Sequence, residues 1–216
     1  MATQRFDELN NFYSDMEIPQ AEKNKRIKLA EMIIDVFLYL FELVEADLKG
    51  NRPIDRDFYI STIEPRFIKA LNGYEDKLIE NYTDLKEYPK VVVTEIVDTT
   101  IAHIIPLETK DDGTVINDID SNYFISEDRA ITIGKNEANT VGNAVLQAKA
   151  IEEGYTDKMW VTMQDELVRG THIEAEGQTV GINENFTVGG CKMPYPRYYL
   201  APAEETVNCR CTVKYL

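Results

Sequence analysis

The feature that limits the fold most is the run from Gln20 to Lys49. Ile27, Ala30, Ile34, Phe37, Leu38, Phe41 and Val44 recur along it at spacings of three and four, with Lys, Glu and Asp between them. That period lines one face of an α-helix, and Gly50 follows as a stop. Met32, Ile33, Val36 and Leu40 widen the apolar stripe, which implies burial on more than one side, by other helices or by a partner protein. A chain built around such a helix has a helical layer at its N-terminal end. The run from Met32 to Val44 carries Asp35 and Glu42 and falls short of the roughly 20 apolar residues that a bilayer requires, so no membrane segment is expected. The first residues, Met1 to Glu8, do not read as a signal peptide.

Further helical periodicity follows. Asp55 to Tyr82 holds Phe58, Ile60, Ile63, Phe67, Ile68, Leu71, Leu78 and Ile79, interrupted by Pro65 and Gly73, which predicts a kinked helix or two shorter ones. Lys90 to Ile105, entered through Pro89, reads as a helix despite its β-branched richness. His103 on this run reads as a packing residue. From Pro106 to Asn122 the chain turns polar, and Asp111-Asp112-Gly113 marks a surface linker or loose hairpin. Its aspartates lack the order of a calcium loop. This stretch is the expected boundary between a helical arm or bundle, residues 1–122, and a small α+β domain, residues 123–216.

In the second part Ser126 can cap a helix that begins with Glu127 and Asp128 and ends at Gly154. Gly134 and Gly142 either weaken that helix or admit a close neighbour. Short strands are expected at Met159 to Met163, Thr179 to Ile182 and Cys211 to Tyr215, with a loop from Gly189 to Pro202. The 216 residues, 44% hydrophobic and 28% charged, are those of an ordinary globular protein. The net charge of −15 argues against a general nucleic-acid coat. The charge is uneven: 14 Lys+Arg face 25 Asp+Glu up to Ser126, and 9 face 13 beyond it.

Rare residue types gather at the two ends of the segment from Lys158 to Leu216. Trp160 and His172 stand near its start, Cys209 and Cys211 near its close. With three cysteines at least one is unpaired, which favours a reducing compartment. Asp165, Arg169 and His172 are spaced to share a helical face. Cys209 and Cys211 would share one side of a strand. His172 and the two thiolates supply three of the four ligands of a tetrahedral zinc site, with Cys191 or Asp165 as candidates for the fourth. Without metal, the same residues read as buried small cysteines, an Asp165–Arg169 ion pair and a histidine bonded to a backbone carbonyl. His172-Ile173-Glu174 has the His-x-Glu order of zinc deaminases, yet the Pro-Cys-x-x-Cys that accompanies it in those enzymes is absent. No Gly-rich phosphate loop and no nucleophile elbow occurs.

The combined order resembles a known family: Glu137 and Asn143 on a helix, Gly154, Trp160, Asp165-x-x-x-Arg169-x-x-His172, Gly177-Gln178-x-Val180, Phe186 and Asn208-Cys209-Arg210-Cys211. It is similar to the phage Mu protein F-like head-morphogenesis proteins, from about Ala130 to Val213. Two departures stand out: Lys135-Asn136-Glu137 where the family often has Arg-Thr-Glu, and Met193-Pro194-Tyr195-Pro196-Arg197 in place of a Pro-Gly-Asp loop. The resemblance implies a minor capsid protein of a tailed bacteriophage, present in multiple copies inside the head near the portal and packaged or ejected with DNA. Its partners would be the portal protein and other head proteins, with weak DNA contact. Assembly would take place in the host cytoplasm. It further implies no catalysis: Trp160, Asp165, Arg169, His172, Asn208, Cys209 and Cys211 would brace the terminal fold, with zinc as a structural cofactor. The rival expectation is a metal-dependent hydrolase or transferase using His172, Glu174, Cys209 and Cys211.

Overall fold

A computed structural model describes residues 2–104, 108–109, 115–116 and 122–216. The helical layer comprises α1 (Ala2–Ser14), α2 (Gln20–Lys49), α3 (Arg56–Asn72), α4 (Leu78–Asn81), α5 (Tyr88–Ile104) and α6 (Glu127–Glu152). Strands β1 (Glu108–Thr109) and β2 (Val115–Ile116) pair antiparallel between α5 and α6, as a hairpin would require. The Asp-Asp-Gly turn and the aspartates after it lie outside the described residues. The C-terminal part holds β3 (Asp157–Val161), α7 (Gly170–Ala175), β4 (Thr179–Gly181), β5 (Phe186–Val188), β6 (Cys191–Met193), α8 (Ala203–Thr206) and β7 (Thr212–Tyr215). The architecture is α+β, with a helical N-terminal part and small antiparallel sheets.

α2 is the axis of the molecule. It buries Ile27, Leu29, Ala30, Ile33, Ile34, Phe37, Leu40, Phe41 and Val44, and its principal neighbour is α6, followed by α3 and α1. The wide stripe is thus explained in large part by helices on several sides. Helix boundaries follow from their chemistry. Asp55 accepts a hydrogen bond from the Phe58 amide at 3.0 Å and so caps α3. Ser126 does the same for α6, with the Arg129 amide at 3.2 Å. Each cap satisfies one backbone donor that a helix start leaves open.

The stretch from Asp55 to Tyr82 forms two helices as expected, with the division at Gly73 and with Pro65 inside α3. Several expectations need correction. The N-terminal helix α1 was not expected, because its apolar residues, Phe6, Leu9, Phe12 and Tyr13, are few; Leu9 and Tyr13 are nonetheless fully buried. The loop expected from Gly189 to Pro202 contains β6, paired with β5. The last strand begins at Thr212, so Cys209 and Cys211 precede it.

The helical core also continues past residue 122: Ala130, Ile131, Ala138, Val141, Ala144 and Val145 of α6 lie in the same cluster as α2, and Tyr195 joins them. Two glycines of α6 make the helix pair possible. A side chain at Gly134 would meet Ile34 at 2.5 Å, and one at Gly142 would meet the Arg26 guanidinium at 2.2 Å. A second, much smaller core holds Trp160, Ala175, Phe186, Val188, Met193, Cys209 and Cys211. Above it runs the sheet β4-β3-β7, antiparallel throughout, with Trp160 opposite Val213. Among the described residues no helix is long and apolar enough to cross a membrane.

Candidate metal centre

The tail approaches α6 along a ladder of buried polar side chains at helical spacing. The Asn136 side-chain oxygen accepts from the Asn208 amide at 2.9 Å and from Arg197 Nη1 at 2.9 Å. Asn139 Nδ2 donates to the Cys209 carbonyl at 3.1 Å, and Asn143 Nδ2 to the Pro196 carbonyl at 2.9 Å. On the opposite side Arg26 reaches in from α2. It pairs with Glu22 at 2.7 Å and donates to Asn139 and to Asn143 Oδ1, the latter at 3.0 Å. Arg197, in the left-handed region at φ 65°, bonds Thr140 at 3.1 Å and the Thr206 carbonyl. Glu137 beside it is half-buried, and the loss of solvent raises its pKa; it accepts from Tyr88 Oη at 2.6 Å. Asn208 itself is left-handed at φ 57°. The turn it makes carries Cys209 and Cys211 away from α6 and into the small core.

There they meet α7. His172 Nδ1 lies 3.3 Å from Cys211 Sγ and 3.6 Å from Cys209 Sγ, and all three residues are buried. Their donor atoms fall within 4.8 Å of one another, and among the described residues this is the one such group of His, Cys, Asp and Glu side chains. The other ring nitrogen, Nε2, lies 3.0 Å from Glu205 Oε2, and Glu205 also accepts from Thr171 Oγ1 at 2.9 Å. Gly189, at φ +55°, leaves room for this carboxylate, since a side chain there would stand 2.0 Å from Glu205 Oε1.

The electrostatics of the trio are coupled. Hydrogen bonding with Cys211, and then the imidazole of His172, hold Cys209 well below the usual thiol range against the effect of burial. The same bond to Cys209, together with burial, pushes Cys211 up. Burial opposes the His172 imidazolium, yet the Cys209 thiolate beside it raises the histidine overall.

Trp160 packs edge-on against His172, ring centres 5.7 Å apart. Its buried indole N–H has no hydrogen-bond partner among the described residues, and it favours the thiolate form of Cys211.

Other site residues are placed differently from the sequence reading. Asp165 precedes α7, so it does not share a helical face with His172. Its ion-pair partner is Arg210, at 2.6 Å, and not Arg169. Arg169 instead donates to the Val207 carbonyl. The histidine faces the two thiols, with a carboxylate on its other nitrogen in place of the backbone carbonyl of the metal-free reading. Neither Cys191 nor Asp165 joins the donor group. Glu174 is exposed and no part of the group. Glu205, Asn136 and Asn139 were missed as site residues, and Asn143 carried the resemblance with no contact assigned to it. The ladder was readable in principle, since its spacing of three and four sets uncharged polar side chains along one side of α6.

The NAD(+)--arginine ADP-ribosyltransferase EFV of Enterococcus faecalis is 27% identical over 196 residues, which is 88% of this chain and 34% of that protein. The chain therefore spans about a third of the length of this curated relative. No solved structure matches. The family model described as Phage Mu protein F like protein matches residues 102–214, the part of the chain that runs from the end of α5 through the His172, Cys209 and Cys211 group into β7. The chain belongs to that family of phage head-related proteins.

Proposed function

We propose that this protein is a minor head protein of a tailed bacteriophage, held inside the capsid near the portal in several copies, and that a metal ion locks its C-terminal fold. The observation that carries the second half is the convergence of one imidazole and two thiols from segments 37 and 39 residues apart. Zinc bonded at about 2.3 Å to sulfur and about 2.1 Å to nitrogen in a tetrahedron puts those donors about 3.6 Å apart. The distances of 3.3 and 3.6 Å match that span.

Two further features fit. Glu205 on Nε2 is the carboxylate that fixes the tautomer of a metal-ligating histidine, so that Nδ1 is free for the metal. The buried Trp160 N–H, without a hydrogen-bond partner among the described residues, favours a thiolate at Cys211. His172, Cys209 and Cys211 would hold the ion, and the ion would supply a cross-link between α7 and the tail. The helical part up to residue 122, which carries most of the negative charge, would face protein partners such as the portal, since it repels packaged DNA.

A second reading is favoured by the Enterococcus relative: transfer of ADP-ribose to arginine. The matched region is a third of that protein, so we assign the shared segment to a common head-associated module and the transferase chemistry to the remainder. One set of measurements separates the readings. Quantitative mass spectrometry of purified particles should find the chain at a stoichiometry well below that of the shell protein. Incubation with labelled NAD and an arginine acceptor should transfer no label. Absence from intact particles would sink the head assignment, and label transfer by the chain would establish the enzyme.

A further inference from the structure

The three donors leave one side of the tetrahedron without a protein ligand. On that side lies a cavity of about 20 Å³, rimmed by Met163, Leu167, Val168, Arg169, Asn208 and Arg210. A single water needs about 10–15 Å³, so there is room for one ligand of that size. No carboxylate or further cysteine or histidine lines it. Nearby acids are committed elsewhere. Asp165 binds Arg210 at 2.6 Å through one oxygen and caps the Leu167 amide at 3.0 Å through the other. Glu205 sits behind the ring, on Nε2.

The charge balance on this side favours an anion. A dication with two thiolates is neutral, and Asp165 offsets Arg210. Arg169 has no carboxylate partner among the described residues, and its guanidinium acts on His172 electrostatically. Entry is short, because Leu167 at the rim is 74% exposed.

We propose that the metal centre is open: the fourth ligand is a water or a small monoanion drawn from solvent, seated under Leu167 and favoured by the charge of Arg169. This rests on the metal reading above. Its consequence is that the centre differs from a closed four-ligand structural site, in which every position is a protein side chain. A bound ion here could exchange a ligand without unfolding the chain.

Cobalt(II) substitution tests this on the full chain. The expected result is one cobalt per chain, a sulfur-to-cobalt charge-transfer band, and X-ray absorption showing two sulfurs. Sodium azide should then shift the d–d bands. Arg169→Gln keeps a donor for the Val207 carbonyl while removing the charge, and should weaken azide binding roughly three- to tenfold at low salt. Raising the salt should shrink that difference. If cobalt binds with two sulfurs and azide changes nothing, the fourth position is filled by protein and the open centre is overturned while the metal reading stands. A third sulfur that vanishes in Cys191→Ser would have the same meaning. Failure to bind cobalt stoichiometrically would overturn both.

Discussion

The helical layer and the C-terminal module reach stability by different routes. Around α2 and α6 many apolar side chains share one core, and no single contact decides the outcome. The module from β3 to β7 has a core of seven buried residues, two of them cysteines. Small cores bury too little apolar surface to offset chain entropy, and small domains of this kind depend on disulfides, metals or neighbours. The module uses two such supports. On one side its tail hangs on the amides of α6, and on the other it is gathered by His172. Burial without redundancy makes specific polar residues decisive, whereas redundancy makes them dispensable.

The comparison breaks most readily at the metal donors. Structural zinc contributes about 10–16 kcal/mol of apparent folding free energy in small domains, more than any side chain of the helical layer. Treatment with a strong chelator, or His172→Ala, should therefore release amide protection in β3 and β7 while α2 and the buried half of α6 keep theirs. Hydrogen exchange by mass spectrometry reads this segment by segment. Equal loss in both regions, or no loss in either, would end the contrast.

Next in size is a buried ion pair inside the helical layer. Arg26 is fully buried, and its carboxylate partner Glu22 is held also by Tyr74 Oη at 2.6 Å. Arg26→Ala strands a buried carboxylate and should cost about 3–5 kcal/mol, read from a denaturant midpoint. Because Arg26 bonds Asn139 and Asn143, which in turn hold the tail, both regions should weaken. Arg26→Met keeps the shape across Gly142 and leaves Glu22 equally unpaired, so it should recover only the packing share of the loss. If exchange rises in the helices alone, the ladder does not couple the two regions.

These two sites also mark what the chain discloses before folding. α2, α5 and α6 were legible because period and caps are local. His172, Cys209 and Cys211 stood out because their residue types are rare and a metal needs them together. Pairings between distant segments were not legible. Asp165 and Arg169 satisfy a local four-residue rule, yet the tail brings Arg210 closer, and long-range packing outranks a pair that is weak on its own. Glu205 gave no signal, being one acid among many. Arg26 stands in line with Ala30, Ile33 and Phe37 on the buried face of α2, and nothing in its residue type announces that; the bare backbone of Gly142 leaves its guanidinium room against α6.

A subtler probe is Lys158, buried on β3. Its ammonium donates to the Pro194 carbonyl at 2.7 Å and to Gln147 Oε1 at 3.3 Å. Burial pulls its pKa down to about 8 from the ordinary 10.5. The unfolded lysine keeps its proton to about 10.5 and the folded one releases it near 8, so between these values the unfolded chain binds more protons. Stability therefore rises with pH across that window, by at most about 1.4 kcal/mol per pH unit. The cost of the buried charge is present in full below it. Lys158→Met should lose this part of the slope, measured as the difference between the two proteins in denaturant titrations from pH 7.5 to 10. Equal slopes would mean that the ammonium is as well solvated in the module as in the unfolded chain.

The smallest change asks whether the two regions share a fate at all. Ser126 caps α6, the one helix that belongs to both, since its apolar face packs on α2 and its amides hold the tail. Ser126→Ala removes an acceptor for the Arg129 amide and should cost about 1 kcal/mol. Asp55→Ala removes the corresponding acceptor at the start of α3, a helix that contributes no residue to the small core, at a similar cost. If α6 is the coupling element, the two variants should lower the midpoint of the helical layer alike, and Ser126→Ala alone should lower that of the metal-free module as well. Identical effects of both caps on the module would show that it feels the helical layer only as a whole, and that the Asn ladder positions the tail without carrying its stability.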